Sequence, residues 1–106
     1  MNREFIETTE FQSRRKDLGM TDDDLQELQN YLLEHPAVAP VIKGTGGVRK
    51  LRWAREGRGK SGGLRTIYID MRASDQIYLV TVFGKDEKDD LSPAEKTAIK
   101  AFVKGL

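Results

Sequence analysis

The chain of 106 residues contains no cysteine and a single histidine, His35. The lack of cysteine excludes disulfides, thiol nucleophiles and thiolate metal ligands. With one histidine, a zinc site would have to rely on carboxylates, and catalysis by a pair of histidines is excluded. We therefore expect no metal site and no cofactor, and we interpret His35, which precedes Pro36, as an exposed residue at a helix end.

Long apolar runs are also missing from the sequence. No stretch approaches the roughly 18 residues that a membrane span requires, and the first residues include acids where a secretory signal would be apolar. We therefore expect a cytoplasmic protein that makes no contact with membranes. Hydrophobic residues make up 38% and charged residues 33% of the chain, a balance typical of one globular domain over residues 1–106.

Positive charge is concentrated in one segment. Residues 43–65 carry a net charge of +7, whereas the rest of the chain carries −6. Such a field raises the local concentration of phosphate-bearing partners, and seven of the ten glycines in the same segment allow a backbone to approach a phosphate closely. The alternative is a solvated basic hairpin without a partner. The basic residues are Lys43, Arg49, Lys50, Arg52, Arg55, Arg58, Lys60 and Arg65.

Local patterns predict three helices and four strands in an α+β arrangement. The predicted elements are a strand at 4–8, helices at 9–18 and 21–35, strands at 48–54, 64–71 and 77–83, and a helix at 92–104. Thr21 and Ser92 are predicted N-caps. Residues 77–83 are apolar on both faces and are predicted to form the central strand of a small, mostly antiparallel sheet with helices packed on it.

Alternation along residues 48–54 separates the two faces of that strand. One face carries Arg49, Leu51 and Trp53, and the other carries Val48, Lys50 and Arg52. Leu51, Trp53 and Tyr68 are predicted core residues. In the last helix the predicted buried stripe consists of Ala98, Ile99, Phe102 and Val103.

Three segments carry a resemblance to a known family. They are residues 44–52 (GTGGVRKLR), 57–68 (GRGKSGGLRTIY) and 82–91 (VFGKDEKDDL). Together they resemble the signature blocks of HigB toxins in the RelE superfamily, and the similarity extends from about Phe5 to the last helix. The combination of three motifs is fairly specific for this family, whereas a glycine-rich basic loop alone is not. The motifs are that loop, a strand that opens with Arg65 and a later Gly84-Lys85 turn.

The resemblance implies a RelE-like fold with the element order β-α-α-β-β-β-α. It also implies a toxin of a type II toxin–antitoxin pair, acting as an endoribonuclease that cleaves mRNA in the ribosomal A site. The implied partners are the ribosome, mRNA and a HigA-type antitoxin with a helix-turn-helix domain. Contact with DNA would be indirect, through that antitoxin.

Carried over by position, the resemblance assigns catalytic roles to four cations. Lys50 and Arg52 match the basic pair on the family's second strand, and Arg65 matches the arginine that opens the third. Lys85 lies in the Gly-Lys turn after the fourth strand. The other cations expected to bind RNA are Lys43, Arg49, Arg55, Arg58 and Lys60. We expect the loop from Arg55 to Gly63 to be mobile until a phosphate-rich target orders it.

The chemistry of metal-free RNA cleavage is compatible with such a set. Attack by a ribose 2′-OH on the adjacent phosphorus requires a proton acceptor, a proton donor at the 5′-oxygen and cationic stabilisation of the developing charge. Neighbouring cations favour loss of a proton from a lysine, so Lys50 is the candidate for proton transfer. Arg52 and Arg65 are better suited to hold the phosphate.

The chain departs from the best-studied RelE pattern after the fourth strand. It has Asp86 and Ser92 where that pattern has an arginine and a tyrosine. Stacking on a base would then fall to another aromatic residue, although each candidate also fits the core. The candidates are Phe83, Tyr78 and Trp53.

Other interpretations remain open at this point. Arg65 can pair with an acid such as Asp70 or Asp86, and Lys50 and Arg52 can be charges that protect an edge strand from aggregation. A protein of the same superfamily can also resemble ParE toxins, which target DNA gyrase, or be a non-catalytic RNA-binding module.

Overall fold

The computed structural model describes residues 3–54 and 63–106. Its elements are β1 (Glu4–Glu7), α1 (Thr9–Asp17), α2 (Asp22–Glu34), β2 (Arg49–Ala54), β3 (Gly63–Met71), a 3-10 turn (Arg72–Ser74), β4 (Gln76–Gly84) and α3 (Pro93–Lys104). The predicted order of helices and strands is confirmed. Three predicted RNA-binding residues, Arg55, Arg58 and Lys60, and most of the loop expected to be mobile lie outside the described residues.

The four strands form one sheet in the order β1-β4-β3-β2. β1 runs parallel to β4, with Phe5 opposite Ile77, and the other two pairings are antiparallel. β4 therefore lies inside the sheet, as its apolar sequence predicts. The sheet is mostly antiparallel, and the fold is α+β with helices packed on both faces of the sheet.

Both predicted N-caps are confirmed. The hydroxyl oxygen of Thr21 accepts from the Asp24 amide at the start of α2, and that of Ser92 accepts from the Glu95 amide at the start of α3. In each case the carboxylate three residues later accepts from the capping residue's own amide, which completes a capping box. These bonds satisfy amides that the helix leaves without partners, so each helix begins at a position that the local sequence dictates.

Two apolar layers lie on opposite faces of the sheet. The first is covered by α1 and α2 through Phe11, Leu28 and Leu32, and it includes Leu51 and Tyr68. The second contains Val48 and Ile67 and is covered in part by Ile99 of α3. We call these sides the α1/α2 face and the α3 face. The predicted separation of Leu51 from Val48 is confirmed, and Trp53 is half-buried against the first layer.

A β-bulge shifts the alternation of side chains along β4. Ile67 lies opposite Thr81 and Tyr68 lies opposite Leu79, so Val80 is an extra residue on β4. Leu79 and Val82 consequently share the α1/α2 face, although they are three residues apart. The shift directs Phe83 to the α3 face, beside the position where the cations of β2 and β3 lie.

The predicted buried stripe of α3 is wrong in part. Ile99 is buried and Val103 is half-buried, but Ala98 is exposed and Phe102 keeps 37% of its surface exposed. Ala98 and Phe102 form one row at i, i+4 spacing on the helix, and Ile99 and Val103 form another. The helix is oriented so that the second row faces the sheet. Ala98 and Phe102 line an open groove of about 490 Å³ between α3, β4 and the start of α1.

A buried ion pair crosses the sheet on the α1/α2 face. Arg3, just before β1, donates to Asp70 on β3, and β4 lies between these strands. Only 3% of the Arg3 side chain and 8% of the Asp70 side chain are exposed. The pair ties the first strand of the chain to the middle of the sheet.

Candidate functional site

Lys50, Arg52 and Arg65 lie together on the α3 face. Arg52 of β2 is directly opposite Arg65 of β3, and Lys50 is two residues along β2 from Arg52. Residues opposite each other in an antiparallel pair have side chains on the same face, and like charges in that position repel. The two arginines therefore favour an anion between them. We call these three residues the basic cluster.

The anion between the arginines is the carboxylate of Asp89. The Nε of Arg65 lies 2.8 Å from Asp89 Oδ1, and Nη2 of Arg52 lies 3.1 Å from Oδ2. Lys50 donates from Nζ to the Asp89 carbonyl at 2.8 Å, and the same Nζ lies 3.7 Å from Oδ1 of Asp90. The basic cluster thus converges on one oxyanion and its backbone.

The convergence bears on two alternatives. Arg65 does pair with an acid, as one alternative has it, although the acid is Asp89 and not Asp70 or Asp86, which were named as examples. Asp70 pairs with Arg3 instead. The other alternative, that Lys50 and Arg52 protect an edge strand, stays open, because β2 is the outermost strand of the described sheet. Lys50 keeps only 12% of its side chain exposed. Arg52, at 61%, stays largely in solvent.

The cluster acts electrostatically on Asp89. The hydrogen bond from Arg65 lowers the pKa of the Asp89 carboxyl below its usual range, and the charges of Arg52 and Lys50 act in the same direction. The carboxyl is therefore ionised at neutral pH. A site that stabilises a carboxylate with two arginines and a lysine also suits the paired non-bridging oxygens of a phosphodiester.

The segment between β4 and α3 carries Asp89 and is attached on both sides of it. Lys88 lies over the Phe83 ring, with Nζ 4.9 Å from the ring centre, and pairs with Glu95 of α3. This bond with Lys88 is the main reason that the pKa of Glu95 is lowered. On the other side, Leu91 is buried in the second layer.

Lys85 lies in the turn after β4, and among the described residues its side chain makes no hydrogen bond or ion pair with the basic cluster. Its amide donates to the carbonyl of Gly63 at 3.1 Å, which continues the β3–β4 ladder into the turn. This bond positions Lys85 opposite the first residue of β3, two residues before Arg65.

Two predicted RNA-binding residues lie elsewhere. Arg49 points to the α1/α2 side and donates to the carbonyls of Ala37 and Ala39, so it holds the connection between α2 and β2. Lys43 lies in a turn whose Gly46 approaches Val103 at the end of α3, and a Cβ on this glycine would lie 3.2 Å from Val103. The amide of Ile42, the residue before Lys43, donates to the carbonyl of Val48, so Lys43 lies beside the start of β2, beyond Lys50.

The aromatic residues named as stacking candidates are engaged in packing. Phe83 is 2% exposed, Tyr78 lies edge-on to Phe102, and Trp53 donates from Nε1 to Thr66 at 2.8 Å. Tyr68 is a core residue as predicted; it donates to the Pro36 carbonyl, and burial raises its pKa. Sequence reasoning overlooked Tyr31.

Tyr31 is an exposed aromatic residue on α2, with 43% of its surface accessible. Its ring lies 4.9 Å from that of His35, which is half-exposed at the helix end, as predicted. Tyr31 lines two clefts along β2, one with Lys50 and Arg52 and the other with Arg52 and Trp53. Tyr31 lies beside the buried Leu28–Leu32 row of α2, and nothing in the local pattern indicates that this flank faces β2.

Asp89 was also missed by sequence reasoning. The stretch from Lys85 to Asp90 has four acids and two lysines, which is typical of a solvated turn. The pairing of Arg52 with Arg65 across β2 and β3 favours a counter-charge, but the sequence does not indicate that Asp89 supplies it. Within residues 3–54 and 63–106, the structure shows no group of three acids and histidines that could hold a metal, and no helix suited to cross a bilayer.

Comparison with known proteins gives two findings. Residues 5–106 match the family described as RelE toxin of the RelE / RelB toxin-antitoxin system. Among solved structures, the chain is similar to the E. coli toxin RelE, studied as a double arginine-to-alanine mutant in the free state. That similarity has a TM-score of 0.57 at 14% sequence identity and covers 100% of both chains, so it supports the shared fold.

Proposed function

The chain belongs to the RelE toxin family, and on this premise we propose that it is a ribosome-dependent endoribonuclease that cleaves mRNA in the A site. The observation that carries the proposal is the convergence of Lys50, Arg52 and Arg65 on Asp89, whose carboxylate accepts from both arginines and whose carbonyl accepts from Lys50. In RNA the corresponding oxyanion is the scissile phosphodiester. The family match over residues 5–106 also supports one toxin domain spanning residues 1–106.

The proposed reaction is an in-line displacement at phosphorus. The ribose 2′-oxygen forms a bond to phosphorus while the bond from phosphorus to the 5′-oxygen breaks. One proton leaves the 2′-hydroxyl and one is delivered to the 5′-oxygen, so the products are a 2′,3′-cyclic phosphate and a 5′-hydroxyl. Arg52 and Arg65 stabilise the charge that develops on the non-bridging oxygens. Lys50 is the group in the cluster that can transfer a proton.

The partners follow from the same proposal. A toxin of this family is neutralised by an antitoxin, and the HigB-like motifs support a HigA-type helix-turn-helix protein in that role. Contact with DNA would come through this antitoxin. Lys85 remains a proposed catalytic residue. The cations outside the described residues, Arg55, Arg58 and Lys60, remain proposed contacts to RNA on the ribosome.

The test is a reaction with purified ribosomes, a defined mRNA and the antitoxin-free protein, followed by mapping of mRNA 5′ ends. We expect cuts within codons in the A site when ribosomes are present and no cuts in the mRNA alone. Absence of cuts by the folded protein would contradict the proposal. Inhibition of DNA supercoiling by gyrase in a parallel assay would instead favour the ParE-like function.

Tyr31, on the α1/α2 side of the outermost strand β2, is proposed to stack on a base of the RNA whose phosphate lies on the α3 face. It lines a cleft with Lys50 and Arg52, and a base on an aromatic ring contributes about 1–3 kcal/mol to single-strand binding. Tyr31→Ala is therefore expected to weaken binding of a 2′-O-methylated RNA hexamer about tenfold, whereas Tyr31→Phe binds like wild type. Quenching of Trp53, the single tryptophan, reports the binding. Equal affinity of the alanine variant and wild type would contradict this role.

A further inference from the structure

Asp89 lies within the site, but the proposed reaction does not use it. Its carboxylate accepts from Arg65 at 2.8 Å and from Arg52 at 3.1 Å, the two groups proposed to hold the phosphate. A bound phosphodiester needs the same donors. The same N–H groups of an arginine cannot bind two oxyanions at once. The Asp89 carboxylate and an RNA phosphate therefore compete for one position.

We propose that Asp89 closes the phosphate position in the free protein and that RNA enters by displacing its carboxylate. The inference rests on the proposed function for the identity of the ligand. The competition itself depends only on the contacts of Asp89 with Arg52 and Arg65. It is therefore expected for the phosphodiester of any single-stranded RNA.

The position of Asp89 in the chain allows this exchange. Asp89 lies outside the helices and strands, and 59% of its side chain is exposed. Lys88 before it is held by Glu95 and the Phe83 ring, and Leu91 after it is buried. Displacement is thus confined to Asp89 and Asp90, and α3 keeps its place. Because the Asp89 side of these ion pairs is exposed, water screens the carboxylate, and a phosphate with further contacts can replace it.

The exchange changes the charge that RNA encounters. The basic cluster contributes three positive charges, and Asp89 and Asp90 bring two negative charges against it. The closed site therefore presents a net charge of +1, and the open site presents +3. The closed site therefore attracts polyanions only weakly. Free RNA binds poorly to it, whereas an mRNA on the ribosome makes additional contacts that compensate.

The test compares charge-removing variants of two exposed aspartates in the same turn. The apparent Kd of a ligand equals its Kd for the open protein divided by the fraction of protein that is open. If about 10–30% of the free protein is open, Asp89→Asn should bind a 2′-O-methylated RNA hexamer about three- to tenfold more tightly than wild type. Asp86→Asn removes the same charge three residues away and should change the affinity less than twofold.

Two further variants separate competition from a structural effect. Asp89→Glu restores a carboxylate and is expected to bind RNA like wild type, whereas Asp89→Ser removes the charge and is expected to match Asp89→Asn. Circular dichroism shows whether each variant is folded. Tighter binding by Asp89→Asn and Asp89→Ser alone supports the proposal; affinity no higher than that of Asp86→Asn overturns it.

Failure of this inference and failure of the proposed function give different results. If wild type cuts mRNA on ribosomes and Asp89→Asn binds the hexamer no more tightly, the function stands and the competition is overturned. If wild type cuts nothing and Asp89→Asn binds more tightly, the carboxylate does occupy a phosphate position, in a protein without the proposed activity.

Discussion

Replacement of Arg65 by alanine is expected to lower the rate of mRNA cleavage on ribosomes about 100- to 1,000-fold, the loss typical of removing one group that stabilises transition-state charge. Arg65 is the best-placed cation of the basic cluster, because its side chain is 15% exposed and its Nε lies 2.8 Å from the oxyanion. The rate is measured in single turnover, by following full-length mRNA in programmed ribosome complexes.

Two control variants make this expectation specific. Arg65→Lys keeps the charge but loses the planar fork, so its rate is expected to lie between those of wild type and Arg65→Ala. Arg72→Ala removes an exposed arginine at the other end of β3, about 23 Å along the strand, and is expected to cut like wild type. An unchanged rate for folded Arg65→Ala would contradict the assignment.

The largest expected effect on stability comes from the buried ion pair. Asp70→Asn leaves the charge of Arg3 without a counter-charge in a place where 3% of its side chain is exposed. Loss of one partner from a buried pair costs about 3–5 kcal/mol, so the free energy of unfolding should fall by that amount. Urea denaturation followed by Trp53 fluorescence measures it, provided that the dependence on urea concentration is unchanged.

Asp17→Asn is the matched control for Asp70→Asn. Asp17 pairs with Arg14 at 3.3 Å and is 61% exposed, and exposed pairs contribute about 0–1 kcal/mol. The two variants make the same chemical change at sites that differ in burial. Equal shifts in the urea midpoint would contradict the claim that the buried Arg3–Asp70 pair stabilises the fold more than an exposed pair does.

Much of the fold could be predicted because its signals are local. Thr21 and Ser92 begin helices through bonds to residues three positions away, and the apolar run of β4 identifies an inner strand without knowledge of its neighbours. The placement of Lys50 and Arg52 on one face also follows from simple alternation. Each of these features depends on residues close together in the chain.

The rest of the fold depends on contacts between distant residues. Strict alternation would put Leu79 and Phe83 on the same face, but the extra residue Val80 places them on opposite faces. The choice between two adjacent rows on α3 depends on how the helix meets the sheet, so Phe102 was wrongly predicted to be buried. A bulge and a helix rotation are set by packing, which the sequence pattern does not encode locally.

The candidate site was predictable only as a set of cations. The resemblance and the charge pattern both select Lys50, Arg52 and Arg65, and the structure brings these three together. The same charge pattern includes Arg49, which instead holds the backbone at Ala37 and Ala39. Charge alone cannot distinguish a cation that faces the site from one that fastens a loop, and it gives no indication that Asp89 fills the cluster.

The most direct test of the account is cleavage of an mRNA in which one nucleotide lacks its 2′-hydroxyl. The substitution is placed on the 5′ side of the mapped cut, in the same programmed ribosome complex. If the 2′-oxygen attacks the phosphorus, cleavage at this position stops, while the unmodified mRNA yields fragments that end in a 2′,3′-cyclic phosphate. Continued cleavage at the 2′-deoxy position would contradict the account, because the attacking oxygen would then have to come from water.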